Sequence, residues 1–152
     1  MLRIGLISDT HGLLRPEALD ALRGSNHIIH AGDIGNEGIL QTLSQIAPVT
    51  AVRGNNDIGG WAEAIPETQR LQFEDVTVYI IHDLKELGIS PGTEGISVVI
   101  SGHSHKPSIE KSGDVFYINP GSAGPRRFKL PIAVAELVID GATLTPQIVH
   151  LA

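Results

Sequence analysis

The chain has 152 residues, 41% of them hydrophobic and 18% charged, the balance of a soluble, globular protein rather than a disordered one. Seventeen acidic against eleven basic residues give a formal charge of −6, which argues against an extended nucleic-acid surface. There is no cysteine, so disulfides and thiolate-held metals are excluded, and a reducing cytoplasm is the expected location.

A single domain over residues 1–152 is expected at this length. The stretch MLRIGLISDTHG has an apolar run of only a few residues before Asp9, without a signal-peptide pattern. No segment approaches the ~20 apolar residues that span a bilayer, so no membrane partner is expected.

In chain order, Leu2–Ser8 reads as a buried strand. Arg15–Gly24 reads as a short helix with Leu19 and Leu22 on one face. His27–Asp33 is a second strand, Asn36–Ala47 a second helix ended by Pro48, and Val49–Asp57 a third strand. This strand–helix alternation implies a parallel sheet with right-handed crossovers. The second half changes character. QRLQFED and VTVYIIH read as strands joined at Glu74-Asp75, and ISVVISG as another. Two hairpins follow, one turning around Ser112-Gly113-Asp114 and one on Asp140-Gly141. Two sheets packed as a sandwich with helices outside is the expected α/β architecture.

Polar residues collect where the apolar strands end. Asp9 and His11 follow the first, Asp33 the second, Asn55 the third; His82 ends VYIIH, and His103 and His105 follow VVISG. Loops at the carboxyl ends of parallel strands converge on a ligand crevice, so these seven metal-competent side chains are expected to gather. Mixed imidazole, carboxylate and amide donors suit manganese, iron, zinc, nickel or cobalt better than calcium or magnesium. Two divalent cations bring +4, Asp9 and Asp33 −2 and a bridging hydroxide −1, leaving a cationic site that attracts phosphate. Two metals about 3.5–4 Å apart hold attacking and substrate oxygens and lower a bound water's pKa toward ~7.

DTH at 9–11, GD at 32–33, GNND at 54–57, His82 and GHSH at 102–105 resemble, in order, the motifs of the calcineurin-like metallophosphoesterases. NPGS at 119–122 narrows the resemblance to the small YfcE-type phosphodiesterases, relatives of the retromer subunit Vps29. The resemblance covers nearly the whole chain. It implies a four-layer α/β/β/α sandwich of two mixed sheets flanked by helices. It also implies two divalent ions, manganese first among the candidates, in a possible dimer or tetramer. Asp9, His11, Asp33 and His105 would hold the first ion; Asp33 would bridge, and Asn55, His82 and His103 would complete the second. The implied reaction is hydrolysis of a phosphodiester, in a small phosphate ester or nucleotide, by a metal-bound hydroxide. Asp33, His103 and Asn56 are the catalytic candidates. The rival readings are a phosphomonoesterase on the same site and a Vps29-like protein-binding module; no expected ligand is missing here, which argues against the latter.

Two positions depart from the resembled pattern. Asn56 stands where many members have histidine; an amide donates a hydrogen bond but is no general acid near neutral pH. After His82 the chain has Asp83 in place of the usual glycine, and a helix at 84–87 has room for barely one turn, which suggests a more open pocket. Asp57 is expected to orient a loop rather than bind metal. Asn119 and Ser122 are expected to be structural. His27, His30 and His150 read as core or surface residues. Arg126 and Arg127 are either solvated or reach phosphate, and Trp61 either stacks on an aryl group or covers the core.

Overall fold

The computed structural model describes residues 1–151. Strand β1 (Leu2–Ile7) leads to helix α1 (Pro16–Leu22), strand β2 (His27–His30), helix α2 (Glu37–Ser44) and strand β3 (Val49–Ala51). The three strands are parallel, and the two helices are their crossovers. Pro16 begins α1, where a missing N–H costs nothing and its fixed φ suits the helix. A one-turn helix α3 (Gly60–Glu63) precedes the antiparallel pair β4 (Thr68–Phe73) and β5 (Val76–Ile81). Then come a single 3-10 turn (Leu84–Glu86), β6 (Val98–Ile100), the hairpin β7 (Ser108–Ser112) and β8 (Val115–Asn119), and the hairpin β9 (Ala133–Asp140) and β10 (Thr143–His150).

The strands form two mixed five-stranded sheets, ordered β10-β9-β1-β2-β3 and β4-β5-β6-β8-β7. The period of two along β1 divides its side chains between layers. Ile4 and Leu6 face the second sheet, where they meet Val78, Ile80, Ile100 and Ile118; Ile7 faces α1 and α2. Each fully buried Ile or Leu contributes about 1.5–3 kcal/mol. Leu22, Ile39 and Leu43 of the helices close that outer face.

The expected layer order holds, with the fourth layer thin. The outer face of the second sheet, with Ile81, Val99 and Val115, is covered by Leu87, Ile89 and Ile96 from the 3-10 turn and the coil after it. The strands β2 and β3 end sooner than the apolar runs suggest, at His30 and Ala51. Beyond them the backbone turns into the site, and Asp33 leaves the extended region at φ 55°. Helix α3 has no signal in the sequence, since Gly59-Gly60 is a poor start. Packing of Trp61 and Ile65 against the helical side, with Ala62 buried between them in the sequence, overrides that propensity. Among the described residues, no helix is long and apolar enough to cross a membrane.

Candidate metal centre

The loops after β1, β2, β3, β5 and β6 meet at one end of the sandwich. Six of the seven expected ligands fall into two groups there, Asp9 with His11 and His105, and Asp33 with His82 and His103. Five of these six, all but His82, hold left-handed backbone: Asp9 at 55°, His11 at 46°, Asp33 at 55°, His103 at 71° and His105 at 63°. That conformation is uncommon outside glycine and costs about 1–3 kcal/mol per residue. It turns each chain sharply just past its strand, so that residues leaving different strands aim inward. Asp and His tolerate it better than most residues.

Asp9 is divided between two jobs. Its Oδ2 accepts from Ser8 Oγ at 2.8 Å and from the His103 N–H at 3.1 Å. Its Oδ1 is buried without a hydrogen-bond partner, ringed by Nε2 of His105 at 3.5 Å, His11 at 3.8 Å and His82 at 3.9 Å. Asp33 Oδ2 lies 3.1 Å from His82 Nε2 and 3.7 Å from His11 Nε2, within reach of both groups. His82 Nδ1–H donates to the Ala31 carbonyl at 2.7 Å, which leaves Nε2 facing the centre, buried and without an aligned partner. Donors that share one ion at about 2.1 Å stand about 3.0–3.5 Å apart. The side chains present therefore fit divalent ions: unpartnered buried atoms converge at close to that spacing, in a donor set suited to transition metals.

The protons follow the same geometry. Burial pushes Asp9 up to about 6, against the pull of His82 and the bond from Ser8. Burial alone would raise Asp33 as well, but the close approach of His82 and the bond from the Asn56 N–H hold it down at about 2. Burial lowers His82, yet its contacts with Asp33 and the Ala31 carbonyl outweigh this and hold it above its ordinary value. His105 falls to about 4 through burial, with the charges of Arg127 and His11 adding to the effect.

The surrounding residues hold the loops. Buried Asp57 accepts from Ile34 N–H at 2.8 Å and Gly35 N–H at 3.0 Å on Oδ1, and from Gly54 N–H at 2.9 Å on Oδ2. It ties the loop after β3 to the loop after β2, the orienting role its position suggested. Asn56 is clamped onto Asp33, its N–H 3.0 Å from Oδ1 and its Nδ2 3.4 Å from Oδ2. Asn119 Nδ2 donates to the Gly102 carbonyl and to Ser104 Oγ, each at 3.0 Å, and Ser122 Oγ lies 3.2 Å from the Asp9 carbonyl oxygen. Glycine is required where these loops press together. A Cβ at Gly102 would run into Ser8 Oγ and the Asp9 carboxylate, and one at Gly54 into Asp33.

One neighbour of the centre carries more than the sequence reading gave it. His30, expected to be ordinary core or surface, is fully buried beneath it. Its Nδ1 accepts the Gly32 N–H at 3.1 Å, so Nε2 carries the proton and donates to Thr10 Oγ1 at 2.9 Å; Thr10 in turn donates to the Ile34 carbonyl at 2.8 Å. That chain joins the turn of Asp9 and His11 to the turn of Asp33. Burial holds His30 down at about 3, neutral at ordinary pH. Asp83 turns to His103 rather than to His82, with Oδ2 3.8 Å from Nε2, while its Oδ1 accepts the Lys85 N–H at 3.1 Å.

Other expectations resolve simply. Trp61 packs on the helical side of the core. His27 bonds Thr50 Oγ1 at 2.8 Å, and His150 is exposed. Asn55, an amide donor, is exposed and lines a cavity of about 460 Å³ with Arg53, Asp83, His82 and His103. A second cavity, about 450 Å³, is lined by Lys85, Tyr117, Asn119 and Arg127, and shares only Asp83 and His103 with the first.

A family model for the calcineurin-like phosphoesterase superfamily domain matches residues 2–141. The chain belongs to that superfamily. It is 38% identical to a probable metallophosphoesterase of Methanothermobacter thermautotrophicus, over 97% of this chain and 91% of that protein. It is 28% identical to the phosphodiesterase YfcE of Escherichia coli, over 80% and 79%. Its fold superposes on Vps29 of Chaetomium thermophilum with a TM-score of 0.84 at 19% identity, over 97% of this chain and 88% of that one. Superfamily membership accounts for the order of the five motifs, and implies divalent metal.

Proposed function

We propose that the protein is a metal-dependent phosphodiesterase with a dinuclear centre, manganese being the first ion to try. The observation that carries this is the convergence of two three-residue donor groups on Asp9 Oδ1 and Asp33 Oδ2. The similarity to a protein named as a phosphodiesterase supports the diester, as do two cavities meeting at one histidine, one for each arm. Asp9, His11 and His105 would hold one ion, Asp33, His82 and His103 the other, with Asp33 shared and Asn55 close at hand. Bound divalent ions supply Lewis acidity toward a phosphoryl oxygen and lower the pKa of water.

The protein's own residues then set the site in place. Asp9 and Asp33 offset two of the four positive charges of such a pair, so the loaded centre attracts a phosphate ester. The Ala31 carbonyl fixes the His82 tautomer, and Asn56 and the ligands around it hold Asp33 at the shared position. No imidazole stands at position 56, so the leaving alcohol receives no proton from there.

The test is hydrolysis of bis-p-nitrophenyl phosphate by metal-stripped protein with manganese, nickel, zinc or magnesium restored, beside His105→Ala and Asp33→Asn. Activity that returns with metal and is lost in both variants is expected. Folded, metal-binding protein that cleaves no diester with any ion would refute the proposal. Faster cleavage of p-nitrophenyl phosphate would transfer it to a monoesterase.

A further inference from the structure

The second cavity contains two cations that the metal centre does not employ. Lys85 and Arg127 line it beside His103, Ser104, Tyr117 and Asn119. Neither has a carboxylate partner among the described residues, as is true of most lysines and arginines here outside Arg3, Arg23, Arg53 and Arg70; what sets these two apart is that they share one cavity wall. In a chain of net charge −6, two unpaired cations on one cavity mark a place that receives negative charge. Two carboxylates also reach this wall. Asp83 is engaged by the Lys85 N–H and faces His103; Glu110 is an exposed residue of the edge strand β7.

The cavity adjoins the centre. His103, one of the grouped donors, belongs to both cavities. The first cavity has a different character: its arginine, Arg53, is taken by Glu67 at 2.8 Å, and Glu86 adds a further negative charge. The loop bearing Arg127 is anchored at its base, where Arg15 donates to the Gly124 carbonyl and Ser122 Oγ to the Pro125 carbonyl. Next to Arg127, Phe128 is 88% exposed at φ 55°, a costly state for a bulky residue with no packing to repay it.

We propose that this cavity binds a second phosphate, carried on one arm of the diester, with Arg127 as its fork. The preferred substrates are then diesters bearing a further terminal phosphate, and the arm without one lies in the first cavity. The plane of the Arg127 guanidinium matches two oxygens of a terminal phosphate, and Lys85 adds a point charge to a third. This rests on the phosphodiesterase reading for the position of the first phosphate.

Calorimetric titration of manganese-loaded protein with thymidine 3′,5′-bisphosphate and thymidine 5′-monophosphate tests it. The wild type is expected to favour the bisphosphate by about tenfold, the low end for a hydrogen bond to a charged group. Arg127→Met should bring that ratio close to one and Arg127→Lys restore part of it. Arg126→Met, one residue outside the cavity wall, should retain it. A wild-type ratio near one, a ratio unchanged in Arg127→Met, or an equal loss in Arg126→Met would each overturn the proposal. The ratio is a binding quantity, so a protein that cleaves no diester refutes the activity without touching it.

Discussion

Asp57 is the place to test whether the centre is held by its loops. The carboxylate is buried and accepts three backbone N–H groups, from Ile34, Gly35 and Gly54. Asp57→Ala strands all three. Gly35 is exposed and finds water, but Ile34 and Gly54 are buried. A stranded buried donor costs about 1–3 kcal/mol, so the variant should lose about 3–4 kcal/mol. At this chain length that is a fall in Tm of roughly 10 °C. Asp57→Asn can keep Oδ1 on Ile34 and Gly35 while turning an NH2 group against the Gly54 N–H. It should lose about half as much. Urea unfolding of metal-free protein measures both. The same variants free the loop carrying Asn55 and Asn56, so their affinity for manganese should fall about 10- to 100-fold, as for other outer supports of a metal site. An Asn variant as stable as the wild type, or an Ala variant less than about 1 kcal/mol down, would show that these amides are satisfied elsewhere and refute the argument.

Protons should leave when metal enters. Asp9 titrates at about 6 and His82 is held high, so binding at pH 5 should release more protons than at pH 7, and affinity should weaken below about pH 6. Calorimetry in buffers of different ionisation heat counts them, and a count independent of pH would contradict the assignment. His30 acts in the opposite sense to Asp9 on stability. Its folded pKa of about 3 lies below the unfolded 6.5, so its contribution is complete above pH 6.5 and is lost as pH falls toward 3. In metal-free protein, His30→Gln should flatten the decline in stability between pH 6.5 and 4, and unchanged slopes would mean that His30 charges freely in the fold. Gly102→Ala drives a methyl group into Ser8 and Asp9, so metal binding should be lost even where circular dichroism shows folded protein. With Asn56 unable to donate a proton to the leaving oxygen, nitrophenyl diesters should be cut at least about tenfold faster than alkyl diesters; equal rates would place a general acid elsewhere in the site.

Much of this protein was legible along the chain. Strands and helices follow from periodicity and turn residues, and these are local. The ligand types were visible too, because Asp9, Asp33, His82 and His103 each stand just past an apolar run. The one-turn α3 was not, since tertiary packing of Trp61 and the following Ile65 forms it against the propensity of its glycines. What joins Asp9 to His105, or Arg127 to His103, is sheet order and register, which no local pattern encodes. The same holds for His30. Its sequence neighbours mark it as core, and only the crossing of two turns above it makes each ring nitrogen a link between Thr10 and Gly32. The residue types of the centre, and their order, were determined by the sequence alone. Which of their atoms meet, which protons they keep, and which cations remain free beside them were decided by the tertiary structure, because burial and distance set those energies and both arise only when the two sheets close.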